Sequence, residues 1–437
     1  MTRMNRKILG IALPAIIANI TVPLLGLIDT SIAGHLGRTG YIGAIAVGSM
    51  IFNLIYWNFG FLRMGTAGMT AQAYGRTNMT ECLQILARAT FIGGSAAIAI
   101  LILQQLLLWM ALLAIGPSDE VLGLASTYFH VCVWGAPAIL MTMGIKGWFI
   151  GMQDSRSPMI ISIGVNVVNI LASLTAVYMF DMGFKGIPVG TVIAEYSGLI
   201  YAILLIRRKH GSDFRSFKWK NSLEAAGMKK FFKVNSDIFL RSTCLMVVTL
   251  FFVSAGARSG DITLAVNALI MQLFTLFSYF MDGFAYAGEA LVGRYAGAKD
   301  MPMLHRCINR LLCWGGTVAV IFMTIYLFGA DTIFGIITDD RAVIAAAYEY
   351  HLWSVAIPLA GAAGFIWDGV YIGLTATRQM LYTIAASCAL FFAVFYLMPD
   401  SLGNNKLWLA FISYLAMRGI SQTFVYRYYL LSRISRL

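Results

Sequence analysis

Apolar residues fall in long unbroken blocks, each about twenty or more positions, and polar residues gather in short breaks between them. A bilayer core of about 30 Å needs about 20 apolar residues in a helix. The blocks near 8–34, 43–73, 84–115, 121–150, 158–180 and 186–206 therefore predict six membrane-spanning helices. Six more are predicted near 232–257, 262–293, 303–330, 343–373, 379–398 and 407–430. The pattern also recurs residue by residue. Val121, Ala125, Tyr128, Ala138, Gly147, Ile150, Gly151 and Arg156 meet Val343, Ala347, Tyr350, Ala360, Gly369, Ile372, Gly373 and Arg378 at an offset of 222. Ser31, Gly37, Gly60, Phe61, Gly65 and Ala67 meet Ser254, Gly260, Gly283, Phe284, Gly288 and Ala290 at nearly the same offset. The chain is one six-helix module written twice, and an even helix count makes the two copies parallel repeats. The expected fold is an all-α membrane protein of twelve transmembrane helices in two lobes, 1–206 and 232–437, joined by a cytoplasmic linker at 207–231.

Composition agrees with a polytopic membrane protein. Hydrophobic residues make up 59% and charged residues 12%, against about 25% charged in a soluble domain. The net charge of +12 would suggest nucleic-acid binding if it were spread evenly. Instead the basic residues sort by side of the membrane, as the positive-inside rule requires. Arg207, Arg208, Lys209, Arg215, Lys218, Lys220, Lys229, Lys230 and Lys233 crowd the central linker, whereas the opposite loops offer Arg38, Lys185, Arg258, Arg341 and Lys406. Both termini are thus expected in the cytoplasm, the protein in a bacterial inner membrane, and no nucleic-acid partner. The six cysteines are scattered without a CxxC and read as small apolar residues. No cleavable signal peptide is expected, because the first apolar stretch is too long for one.

Duplicated halves in a membrane protein point to a substrate site between two lobes that rock. Ionisable residues inside the spans are the candidates for its chemistry, since each is costly in hydrocarbon. Asp29 lies in helix 1 with Pro14 and Pro23 upstream, where prolines remove backbone donors and permit bending. A carboxylate there can bind H⁺ or Na⁺ and couple its charge to helix shape. The alternative is an aspartate bathing in interfacial water. Asn166, Asn169 and Ser173 share a helix face with Thr191 nearby, either as a polar pocket for Asp29 or as interhelical glue. Tyr128 offers a hydroxyl or an interfacial anchor. In the second half Asp282 and Glu289 share one helix face, and Asp368 aligns with Lys146, so charge is not two-fold symmetric. Ion pairing is the competing role for these acids, since Arg63, Lys146 and Arg241 also need partners. His35, His130, His210, His305 and His351 form no metal-ligand spacing, and no GxxxxGK[ST] is present. No metal, cofactor or enzymatic activity is expected.

The segments LPAIIANITVPLLGLIDTSIAGHLG, GWFIGMQDSRSPM, NSDIFLRSTCL and LIMQLFTLFSYFMDGFAYAGEALVGRYAGAKD resemble the multidrug and toxic compound extrusion (MATE) family, most closely its DinF-like branch. The resemblance implies two six-helix lobes around a central cavity and export of amphipathic, cationic compounds in exchange for H⁺ or Na⁺. It implies that Pro14 is the bending proline, Asp29 the helix 1 carboxylate, and Tyr128, Asn169 and Thr191 parts of a polar network. Members of this branch commonly carry an aspartate where this chain has Ser173. A relay needing two carboxylates in that lobe is therefore incomplete, and Asp29 works alone or Asp368, Asp282 or Glu289 takes up coupling. The expected function is a monomeric, cation-coupled multidrug antiporter in contact with membrane lipid, working by alternating access, with H⁺ preferred to Na⁺. A flippase for a lipid-linked or polysaccharide precursor is the rival. It would need a strongly cationic cavity, for which Arg63, Lys146 and Arg241 are the available residues.

Overall fold

The computed structural model describes residues 3–215 and 222–430, and its regular elements are all helical. The first half runs α1 (Arg3–His35), α2 (Thr39–Asn58), α3 (Phe61–Gly75), α4 (Met79–Ile115), α5 (Asp119–Cys132), α6 (Ala136–Gly151), α7 (Arg156–Leu174) and α8 (Gly186–Arg215). The second runs α9 (Ala225–Arg258), α10 (Asp261–Gly297), α11 (Met301–Phe328), α12 (Ala330–Ile337), α13 (Arg341–Gly373), α14 (Thr377–Leu397) and α15 (Asn404–Val425). Gly60 interrupts α2–α3, and a 3₁₀ turn at Val133–Gly135 with a proline in the next turn interrupts α5–α6. Their counterparts α10 and α13 run unbroken.

Among the described residues eleven helical stretches are long and apolar enough to cross a membrane, counting α2–α3 and α5–α6 as one each. The twelfth predicted span, 407–430, is present as the 22-residue α15. It is long enough, at about 1.5 Å per residue, but Arg418 and Gln422 dilute its apolar character. Both are buried, so its polarity faces protein rather than lipid.

The duplication reaches down to single turns. Thr77 (φ 56°) and Lys299 (φ 57°) are both left-handed, and so are Gln153 (φ 68°) and Thr375 (φ 51°), each pair 222 residues apart. Directly after the first pair, Asn78 caps α4 by accepting from the Glu81 amide at 3.0 Å, and Asp300 caps α11 by accepting from the Met303 amide at 3.1 Å. Helix packing repeats as well. In the first half α6 packs on α3 and α4, and α7 on α8; in the second α13 packs on α10 and α11, and α14 on α15.

Two compact units result, residues 17–235 and residues up to 16 together with 236 onward. These boundaries differ from the expected 1–206 and 232–437. The start of α1 belongs with the second unit because Gly283 of α10 lies against Ala12 and Ile16. The start of α9 belongs with the first, where Asn235 lies on Gly65 and the buried Arg88 donates from Nε to the Ser222 carbonyl at 2.7 Å. The expected linker is helical at both ends, to Arg215 and from Ala225, and Lys209 ties its first part to Asp154 at 2.6 Å. Lys218 and Lys220 lie outside the described residues.

Glycines set the closest crossings. Gly147 faces the Arg63 carbonyl of α3, and its repeat partner Gly369 faces the Ala285 carbonyl of α10. A Cβ on Gly151 would lie 2.7 Å from the Ala67 carbonyl oxygen, and one on Gly373 would lie 3.0 Å from those of Gly288 and Glu289. Small residues four apart are how helices approach closely where no hydrophobic drive separates helix from lipid. Gly151→Leu and Gly373→Leu should each destabilise the protein by about 1–3 kcal/mol, read as a lower melting temperature in detergent. Gly94→Ala and Gly164→Ala, where a Cβ would meet nothing within 4 Å, should leave that temperature unchanged.

Candidate functional site

Two buried polar clusters stand out, one in each unit. The first is built around Asp29 on α1, which is 4% exposed. Its Oδ1 accepts no hydrogen bond, and no described cation pairs with it. Tyr128 of α5 is buried beside Ser49 and Cys132 and lies within electrostatic range of Asp29. It reaches that position because Gly48 of α2 leaves room for its ring. Tyr128 is therefore a buried group.

The remaining expected pocket residues tie helices together. Asn166 of α7 donates to the Thr21 carbonyl at 2.9 Å, bracing α1 two residues before Pro23. Asn169 donates to the Thr191 hydroxyl at 3.0 Å, and Thr191 and Ser173 both donate to the Ile187 carbonyl, at 3.2 and 3.3 Å. Ser173 and Thr191 thus act as glue within the α7–α8 pair. Asn169 also holds one unsatisfied buried acceptor, its Oδ1. Among the described residues none of these four side chains hydrogen-bonds Asp29. Of the two prolines upstream, Pro14 is half-buried and Pro23 exposed.

The second cluster surrounds Asp368 of α13, which is 5% exposed. Arg241 of α9 and Arg418 of α15 both donate to its Oδ2, Arg418 at 2.6 Å. Gln422 donates to Oδ1 at 2.8 Å. The Arg418 guanidinium also stacks over Phe365 and Tyr414, 5.4 and 5.6 Å from the ring centroids. Asp368, expected as a carboxylate for coupling, is thus the counter-ion of two arginines. Sequence reasoning missed Arg418 and Gln422, although a lone arginine in a predicted span was itself a signal. Asp282 and Glu289 remain on α10, the first half-buried, the second buried at the crossing with α13. Lys146, the counterpart of Asp368, donates to Ser162 at 2.9 Å with Glu195 of α8 in electrostatic range. The corresponding helices α6–α8 and α13–α15 therefore bury charges of opposite arrangement.

The sequence matches the MatE family model over residues 14–175 and 238–397, so both halves carry it. The chain belongs to the MatE family. It is 34% identical over 432 residues to DNA damage-inducible protein F of Escherichia coli K12, covering 98% of this chain and 93% of that one. It is 25% identical over 433 residues to a probable multidrug resistance protein NorM of Rhizobium meliloti, covering 94% and 90%. The fold is shared with the Vibrio cholerae MATE transporter VcmN in its bent form, at a TM-score of 0.86 and 16% identity over 98% and 97% of the chains. As a MatE protein it is a multi-pass membrane transporter of the multidrug and toxic compound efflux family and not an enzyme.

Asp368→Ala would strand two buried guanidiniums, and such a loss costs about 3–5 kcal/mol. A sharp fall in melting temperature in detergent is expected. The triple change Asp368→Leu, Arg241→Met, Arg418→Met should recover most of it, and an unaltered single variant would show that the cluster contributes nothing.

Proposed function

We propose that this MatE protein is a cation-coupled antiporter of the bacterial inner membrane, exporting small amphipathic cationic compounds by alternating access. Its termini lie in the cytoplasm, where the basic residues of the linker and both ends would place them. Asp29 is the coupling carboxylate, and H⁺ is the coupling ion. The observation that carries this reading is the contrast between the two buried aspartates. Asp368 is neutralised by Arg241 and Arg418, whereas Asp29 has no cationic partner among the described residues and one oxygen with no donor. A buried carboxylate without a partner leaves an electrostatic demand that a proton or a metal cation meets. Na⁺ would want several further oxygens converging on Asp29, and among the described residues Thr191 accepts from Asn169, Ser173 donates to the Ile187 carbonyl and Asn166 turns its amide nitrogen to the Thr21 carbonyl. A proton needs none of them.

Occupancy then couples to shape through α1. Pro14 and Pro23 weaken the helix on the approach to Asp29, and Asn166 holds the Thr21 carbonyl between them. Discharging Asp29 removes the group that holds water and polar partners near it, so the two protonation states favour different packings of α1. The flippase reading gains little, because Arg241 and Arg418 are already spent on Asp368.

The test is ethidium efflux from proteoliposomes, first under a pH gradient without Na⁺ and then under a Na⁺ gradient at uniform pH. Efflux is expected under the pH gradient alone, and Asp29→Asn should reduce it to background while melting like the parent protein. Full gradient-driven efflux by Asp29→Asn would overturn the assignment of Asp29, and efflux under the Na⁺ gradient alone would overturn that of H⁺.

A further inference from the structure

The surface of the second unit carries two apolar grooves, one on either side of α15. One, of about 520 Å³, runs between α13 and α15 over Ala363, Gly419 and Ile420 and ends at Arg427 and Tyr428. The other, of about 590 Å³, runs between α14 and α15 over Thr383 and Ala386 and ends at Tyr382 and Tyr428. Phe424 and Tyr428 line both and form the rib between them, their ring centroids 4.6 Å apart. The first groove spans Ala416 to Arg427 along α15 and the helical turn that follows it, a rise of about 16 Å at 1.5 Å per residue. That is about half the 30 Å hydrocarbon thickness, the depth of one leaflet.

The rim has the chemistry of a headgroup site. Arg378 is exposed, donates from Nε to the Tyr382 hydroxyl at 2.8 Å, and has its guanidinium 5.7 Å from the centre of that ring. Arg427 is exposed beside Tyr428. Among the described residues neither arginine pairs with a carboxylate. Asp237, the carboxylate nearest Arg378 in electrostatic terms, accepts from the Thr377 hydroxyl at 2.9 Å. Both arginines sit on the side that charge asymmetry assigns to the cytoplasm, where anionic lipids attract basic residues.

We propose that this face binds one anionic phospholipid, with its two acyl chains straddling the Phe424–Tyr428 rib and its phosphate between Arg378 and Arg427. Two unpaired guanidiniums select an anionic headgroup over a zwitterionic one, and paired grooves of leaflet depth select a diacyl molecule over a free phosphate. Neither groove is lined by Asp29, Asp368, Arg241, Arg418 or Gln422, so the site is independent of the ion that drives transport.

The test uses the purified full-length protein, delipidated in detergent and then given phosphatidylglycerol or phosphatidylcholine. Retention is read by native mass spectrometry, and melting temperature is measured in parallel. The parent protein should retain phosphatidylglycerol preferentially and melt higher with it. Arg378→Gln and Arg427→Gln should each lower that preference about fivefold, as for a basic residue at an anionic surface. Ala363→Trp and Ala386→Trp, which fill the grooves and keep both arginines, should lower retention too. Equal retention of the two lipids by the parent protein would overturn the proposal. So would undiminished retention in the tryptophan variants, which would reduce the effect to general surface charge. If Arg378→Gln does not fold, Arg427→Gln alone decides by the same fivefold change.

Discussion

Close backbone contact at glycine is the constraint on which each unit is built. Helices in lipid gain no hydrophobic drive toward each other, so they associate where side chains are small enough for dispersion contacts between backbones. Gly147 and Gly151 provide that on α6 against α3, and Gly369 and Gly373 provide it on α13 against α10. Once these crossings are fixed, the remaining helices have defined surfaces to pack on, and the polar side chains they carry are brought to fixed depths. Asp368 lies one residue before Gly369, so the same crossing that closes the second unit also buries its main charge.

On this duplicated scaffold the charges are distributed unequally. The turns repeat with matched left-handed residues and matched caps, and the helix pairings repeat too. The buried carboxylates do not. Asp368 is held by groups from α9 and α15 and ties three helices together, which makes it a structural element of the second unit. Asp29 has a tyrosine within electrostatic range and, among the described residues, no cation paired with it. The frame is therefore symmetric in its turns and crossings and asymmetric in how its two buried aspartates are satisfied. Ser173 in the first unit donates its hydroxyl to the Ile187 carbonyl.

Several amides and hydroxyls that look like a pocket in the sequence are instead connections between helices. Asn166 joins α7 to α1, Asn169 and Ser173 join α7 to α8, and Asn267 pairs reciprocally with Asn404 to join α10 to α15, at 3.0 and 2.8 Å. In hydrocarbon such groups have few other partners, so binding and bracing draw on the same residue types. The two uses are distinguished by the partner, and the partner lies on another helix.

Hydropathy alone determined the helices, because a segment that crosses lipid must be apolar over about 20 residues whatever it packs against. The 222-residue offset determined the duplication, and with it the turns and crossings that recur, since equal residues at equal spacing meet equal local constraints. The sequence also singles out Asp29 as an acid within an apolar block, and it is buried in the fold. What the sequence could not determine was which buried charges meet. Arg241, Asp368 and Arg418 are separated by more than a hundred and by fifty positions in the chain, and nothing local to any of them specifies the others. Packing of α9, α13 and α15 around one point made them a neutralised cluster, whereas among the described residues no cation pairs with Asp29 of α1.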